Sequence, residues 1–278
     1  MLNTLPDVES KDIASLLSDR HASLRSAIRR CGSMLVAYSG GVDSALVAFV
    51  AHQELPGKAL AAMGISPSYP ERERRAATLV AEFIGIPCRL VETHEQNNPE
   101  YVANPVNRCF HCKSELYDRL LSIAGTEQFA VVADGVNATD LTEDRPSLPA
   151  ARQRGIRSPL AEAQLTKGQV RQLAKALGLP VWDKPSMPCL ASRVPHGTPV
   201  TPELLKHVEQ AEDVLAALGF RQFRVRHHGQ IARLELAAED FPLALALKDK
   251  IVAGVRKAGY RFVALDLMGY QNGSAHTA

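Results

Sequence analysis

Residues 39–44 read Ser-Gly-Gly-Val-Asp-Ser, a word whose residue types suit anion binding. Gly40 and Gly41 let the main chain turn tightly and approach an anion without a side-chain clash. A helix beginning just after them would add unpaired N–H groups and the positive end of its dipole. Ser39 and Ser44 contribute hydroxyl donors. Asp43 would be repelled by a phosphate, so it makes sense only beside a cation such as Mg²⁺ or as a helix cap. A plain glycine turn capped by Asp43 is the bland alternative, but strand, word and helix together are far more specific. No G-x-x-x-x-G-K-[ST] pattern occurs, so this is not a γ-phosphate-transfer loop.

Sulfur chemistry is the second theme. Cys109 and Cys112 form a CxxC, which suits half of a zinc site or a redox pair, although no thioredoxin-like context surrounds it. Cys189, in Pro-Cys-Leu-Ala-Ser-Arg at 188–193, is a third candidate. Three thiolates can bind three irons of a [4Fe–4S] cluster and leave the fourth iron open. Zinc would accept the same three with one more ligand, such as His111. A bare Cys189 nucleophile would need its pKa lowered by positive charge, which Arg193 or Lys113 could supply. Cys31 and Cys88 have no partner in sequence and read as small apolar residues. The third theme is the alternating stretch 221–228. In a strand, Phe223 and Val225 point one way, and Arg224, Arg226 and His228 the other. Paired guanidiniums suit a phosphate, while a solvated sheet face is the commoner explanation of such a pattern. Glu235, on the next strand, could orient an arginine or be ordinary surface.

The elements that must position these residues follow from periodicity. Short stretches at 34–39, 59–66, 89–93 and 129–134 read as strands, the first of them a buried apolar run. Helical spacing at Ile13, Leu16, Leu17, Leu24 and Ile28, and over 44–55, 71–84, 112–124 and 166–177, reads as helices. This alternation predicts an α/β fold, a parallel sheet with helices on both faces, over residues 1–185. The stretch 184–199 holds four prolines and reads as a linker. Beyond it, a helix from Thr201 and Pro202, strands at 222–227 and 231–236, a helix over 241–258 and a strand at 260–267 predict a small α+β domain over 186–278. The last residues, 272–278, read as a disordered tail. The chain has 278 residues, 46% hydrophobic and 22% charged, with a net charge of +2. That balance gives no strong field toward nucleic acid or membrane. With no membrane-length apolar run and no signal-peptide pattern, a cytoplasmic location is expected.

The word at 39–44 resembles the PP-loop of the ATP pyrophosphatase superfamily, also called adenine nucleotide alpha hydrolase-like. Those enzymes cleave ATP between the α and β phosphates and adenylate a substrate oxygen. The resemblance implies that Ser39, Gly40, Gly41, Asp43 and Ser44 hold the pyrophosphate end, with adenine near Met63. It places further nucleotide contacts along Asp134-Gly135-x-Asn137-x-x-Asp140, and Arg193 is a further candidate ATP contact. Two longer words, Asn107-Arg108-Cys109-x-x-Cys112-Lys113-x-x-Leu116 and Lys184-Pro185-x-x-x-Cys189-Leu190-Ala191-Ser192-Arg193, resemble the LarE family. Its members are ATP-dependent sulfur transferases that build the nickel-pincer nucleotide of lactate racemase. The resemblance implies adenylation of pyridinium-3,5-biscarboxylic acid mononucleotide and replacement of AMP by sulfur. Arg224, Arg226 and Ser192 would then hold the substrate phosphate. One branch of the family sacrifices the sulfur of a single cysteine at the Cys189 position. Another holds a [4Fe–4S] cluster on three cysteines, and Cys109, Cys112 and Cys189 favour that branch. ATP, Mg²⁺ and the cluster are the implied cofactors, and a homo-oligomer, a hexamer in the family, is the implied assembly. The competing readings are tRNA thiolation, which needs a broad basic surface; amidation, which leaves the cysteines idle; and a nucleotide-binding module with structural zinc.

Overall fold

The computed structural model describes residues 7–143 and 145–271, with side chains from residue 17 onward. Ile13 and Leu16, and the expected tail at 272–278, lie outside the described side chains and residues. In chain order the elements are α1 (Asp7–Arg29), β1 (Met34–Ala37), α2 (Val42–Glu54), β2 (Ala59–Ile65), α3 (Glu71–Ile84), β3 (Cys88–Glu92), α4 (Pro99–Val102), α5 (Arg108–Thr126) and β4 (Val131–Ala133). They continue with α6 (Leu148–Gln153), α7 (Pro159–Glu162), α8 (Lys167–Ala176), α9 (Pro202–Ala217), β5 (Phe223–His228), β6 (Ile231–Leu236), α10 (Phe241–Ala246), α11 (Lys248–Lys257) and β7 (Phe262–Leu265).

The chain forms two compact units. The first takes residues up to Ile65, then Arg72–Thr93 and Cys112–Ser186; the second takes Ser66–Glu71, His94–His111 and Met187–Ala278. Two early segments, after β2 and after β3, thus join the carboxy-terminal part.

In the first unit four parallel strands run in the order β3-β2-β1-β4, flanked by helices. This is the α/β arrangement that the alternation of elements predicts. β1 is buried at Met34, Leu35 and Val36, as a central parallel strand covered on both faces must be. α2 is apolar nearly all round, and Leu46, Val47 and Val50 are fully buried. Each such side chain contributes about 1.5–3 kcal/mol by leaving water. α8 is amphipathic instead, burying Val170, Leu173 and Ala174. It opens on a full capping box between Thr166 and Gln169, and Gly178 ends it at φ +74°. The segment 71–75, which looks like a solvated helix face, departs from that: Glu73 is buried and pairs with Lys184 at 2.8 Å.

In the second unit β5 and β6 pair antiparallel and β7 joins β6 in parallel. Its core gathers Leu215, Phe223, Val225, Leu234, Leu236, Ile251 and Val255. Val225 and Phe223 do lie on the core face of β5. The helix expected over 241–258 is two helices broken at Leu247. No glycine or proline marks that break, so the apolar period runs through it unsignalled. The three short helices α4, α6 and α7 were not anticipated; each has proline in its first turn, where the missing N–H costs nothing.

Candidate active site

In the first unit the loop between β1 and α2 is shaped by packing as much as by its own residues. Gly40 sits at φ +65°, and a Cβ there would lie 2.3 Å from the Cβ of Ala77 on α3. Only glycine meets both demands. Ser44 Oγ ties the loop together: it accepts from Ser39 N at 3.1 Å, pairs with Ser39 Oγ at 3.1 Å and donates to Gly41 O at 3.2 Å. Gly41 is the N-cap of α2 and makes no side-chain cap bond, so the helix N-terminus is left for another acceptor.

The loop after β4 backs directly onto this turn. A Cβ on Gly135 would meet Ser44 N at 2.8 Å. Asn137 Nδ2 donates to Asp43 Oδ1 at 3.0 Å, and Lys167 Nζ contacts Asp43 Oδ2. Asn137 Oδ1 accepts from Thr139 N and Asp140 N, which stiffens the loop. Asp43 is therefore not the helix cap; it is a partly exposed carboxylate held by one amide and one ammonium. Mg²⁺ is commonly bound by one or two carboxylates plus substrate phosphates, so a single hard oxygen ligand at this turn fits it.

Two expected nucleotide contacts are buried. Asp134 is buried, and its oxygens already accept from Tyr117 Oη at 3.0 Å, Ser158 Oγ at 2.8 Å and Val136 N at 3.1 Å. Burial raises the pKa of this carboxyl above the usual range, and burial likewise raises Tyr117. Asp134 is a brace under the loop rather than a surface for a ligand. Met63 is fully buried within β2, so a base at this strand end would meet main chain and not the thioether. Lys113 is half-buried, with its ammonium 6.0 Å from the centre of the Tyr117 ring.

In the second unit Cys189 caps a 3₁₀ turn, Leu190–Arg193, and is half-buried. Arg193, expected at ATP, is 1% exposed. Its guanidinium grips Glu212 through Nε at 2.7 Å and Nη2 at 3.2 Å, while Nη1 donates to Pro188 O at 2.7 Å, Cys189 O at 3.3 Å and Ser192 Oγ at 3.0 Å. It builds the turn that presents Cys189, buried against Glu212 and the main chain of that turn. Asn104 works from the other side. It is fully buried at φ +55°, and Nδ2 donates to Val194 O, Pro195 O and Thr198 O at 3.4, 2.8 and 3.0 Å. Its Oδ1 accepts from Arg108, which also donates to Ala191 O at 2.9 Å.

The arginine strand is not a solvated face. Arg224 and Arg226 are each 5% exposed. Arg226 Nε pairs with Glu235 at 2.9 Å, and its Nη1 donates to Ser192 O at 2.6 Å. Glu235 is thus an orienting carboxylate. Arg224 donates to Tyr270 Oη at 2.8 Å and stacks on that ring at 4.5 Å, yet its buried Nε has no hydrogen-bond partner among the described residues. Burial, and to a lesser degree the charges of Arg226 and Arg193, depress its pKa. A buried cation with an unmet donor is costly until an anion arrives. Ser192 Oγ accepts from Arg193 and keeps its own proton to donate.

Cys109 is exposed and Cys112 half-buried, one helical turn apart at the start of α5. His111 Nδ1 lies 3.3 Å from Glu100 Oε2. No cysteine is in a disulfide. Among the described residues, no group of three or more His, Cys, Asp or Glu side chains is arranged to hold a metal ion. Burial raises the thiol pKa of Cys31 and of Cys88, as suits inert packing residues.

The asparagine synthase family model matches residues 12–123, which contain the 39–44 loop. An uncharacterized protein of Synechocystis is 46% identical over 261 residues, covering 93% of this chain and 97% of its own. The pyridinium-3,5-bisthiocarboxylic acid mononucleotide synthase of Lactiplantibacillus plantarum is 33% identical over 258 residues, covering 92% and 94%. The chain belongs to the LarE family. It is an ATP-dependent, sulfur-transferring enzyme of that family, and an uncharacterized protein of Methanocaldococcus jannaschii is also similar, 26% identical over 239 residues. Within this LarE protein the loop, the cysteine words and the arginine pair were legible as motifs. No local pattern marks Lys167, Glu212, Asn104 or Tyr270 for a role. Lys167 lies 124 positions from Asp43, and no spacing rule joins them.

Proposed function

We propose that this enzyme makes thiocarboxylates on pyridinium-3,5-biscarboxylic acid mononucleotide. The first unit activates: the 39–44 loop holds the pyrophosphate end of ATP while a substrate carboxylate oxygen attacks the α-phosphorus. The bond to the bridging oxygen breaks, pyrophosphate leaves, and an acyl-adenylate forms. A sulfur nucleophile then attacks the acyl carbon and expels AMP, so one C–S bond replaces one C–O bond. The second unit holds the substrate phosphate on Arg224 and Arg226, with Ser192 as a further donor. The single observation that carries this reading is the buried arginine pair. One of its members has an unmet donor, and the other is bonded to the main chain of Ser192, three residues from Cys189.

For the sulfur, Cys109, Cys112 and Cys189 are the residues that would hold a [4Fe–4S] cluster. Three free thiols supply the donor type a cluster needs, although among the described residues no three such side chains are gathered to hold a metal ion. Bound, the cluster would supply a replaceable sulfide, sparing the protein from losing a cysteine sulfur at each turnover. The experiment is pyrophosphate release and product mass after anaerobic purification with iron and sulfide quantified. The reading expects release that depends on the pyridinium nucleotide and a mass gain of sulfur for oxygen. Release triggered by tRNA instead overturns the substrate assignment. Stoichiometric zinc without iron overturns the cluster assignment.

A further inference from the structure

Asp43 is the one acidic residue of the anion loop, and both of its oxygens are engaged. Asn137 donates to Oδ1 at 3.0 Å and the Lys167 ammonium contacts Oδ2. Lys167 is held in reach of it by two constraints on its main chain. Its N–H donates to Thr139 Oγ1 at 3.1 Å, and it is the first residue of α8, just after the Thr166 cap. The contact itself is not locked in: the lysine side chain is 37% and the aspartate 20% exposed. A half-solvated ion pair is worth little and exchanges readily. A compact ammonium on a flexible four-carbon stem can swing to another anion without disturbing α8. Phosphate oxygens entering this turn would meet the Asp43 carboxylate unless something neutralised it.

We propose that Lys167 is an exchangeable counter-ion of the ATP site. It covers Asp43 while the loop is empty and keeps a divalent cation off that carboxylate. When nucleotide and cation enter together, it transfers to the pyrophosphate oxygens. This rests on the reading that residues 39–44 hold the pyrophosphate end of ATP. Divalent cation therefore binds with the phosphate and not before it, and Lys167 neutralises charge on the leaving group.

The test uses Mn²⁺ and inorganic pyrophosphate as probes on the full chain, with bound Mn²⁺ measured directly. Lys167→Met exposes Asp43, so Mn²⁺ alone should bind about tenfold more tightly than to the native chain. Pyrophosphate in the presence of Mn²⁺ should bind about tenfold more weakly, the size of one charge-assisted contact. Lys167→Arg keeps the charge and should restore both values to within about threefold, well inside that tenfold step. Asp43→Asn should abolish the tighter Mn²⁺ binding of Lys167→Met. Unchanged Mn²⁺ and pyrophosphate affinities in Lys167→Met, with native ATP binding intact, overturn the counter-ion assignment alone. A native chain that binds neither ATP nor pyrophosphate overturns the loop reading, and the assignment with it.

Discussion

Two guanidiniums on one strand face repel each other, and burial makes the repulsion dearer. Arg226 pairs directly with Glu235, whereas Arg224, across the strand pair from the same carboxylate, hydrogen-bonds a phenol and a carbonyl and stacks on an aromatic ring. The imbalance invites an anion. Replacing both with alanine should weaken binding of the substrate phosphate by about 100-fold, the loss of two charge-assisted contacts, and leave ATP affinity unchanged. Equal loss of both affinities would make the pair structural. Cys189→Ala should abolish product while pyrophosphate release persists; full product yield from that variant would remove Cys189 from sulfur transfer. Asp134 makes a prediction about pH. Its folded pKa is raised, so the folded state holds its proton more tightly than the unfolded chain. Stability from this group is highest below the unfolded value of about 4 and declines as pH rises toward the folded one. Asp134→Asn keeps the shape, so denaturant midpoints across pH should lack that decline, read as the difference from the native curve. A difference curve flat with pH would count against a raised pKa. The types and alternation of these residues were plain in the sequence. Their burial was not, because nothing local distinguishes a covered polar strand face from a wet one.

Strands and helices were the legible scale. All four parallel strands fall where the sequence places them: the central β1 is continuously apolar, as a doubly covered strand must be, whereas the edge strand β3 keeps Arg89 and Glu92 exposed. Some ends coincide and others shift by up to four residues, and α5 begins at Arg108 rather than 112, so that the CxxC lies on a helix. That difference has a physical source: the first turn of α5, Arg-Cys-Phe-His, mixes residue types and carries no apolar period to read. Two element-level tests follow. Gly40→Ala forces a methyl into Ala77 at an unfavourable φ, so α3 must retreat from the loop. A loss of about 1–3 kcal/mol is expected, with ATP binding lost more severely than stability. Native ATP affinity in this variant would argue against the loop as the nucleotide site. Thr166→Ala removes half of the capping box and should cost about 1 kcal/mol by thermal or denaturant unfolding.

At the scale of the molecule, sequence order and spatial order part company. Two short stretches, 66–71 and 94–111, leave the sheet-bearing unit for the other. A reading of contiguous stretches cannot find such exchanges, because they depend on which surfaces are buried and not on local period. The first unit is a parallel sheet that carries the 39–44 loop, and the second is a small sheet that carries the paired arginines. Among the described residues no helix is long and apolar enough to cross a membrane. The near-neutral charge leaves little general attraction for a polyanion. Pyrophosphate release by this enzyme should therefore be indifferent to added tRNA across a range of salt concentrations, and stimulation that fades as salt rises would count against a small-molecule substrate.

Asn104 carries a last consequence, for which substitutions the chain can tolerate. Its main chain has the sign of φ that glycine and asparagine accept, while its amide must serve three carbonyls and one guanidinium at once. Glycine would satisfy the first requirement and forfeit the second. Aspartate would match the shape yet turn lone pairs toward the carbonyls. Glutamine would carry its amide one carbon too far. A single letter is thus doubly prescribed, and drift at this position should be barred.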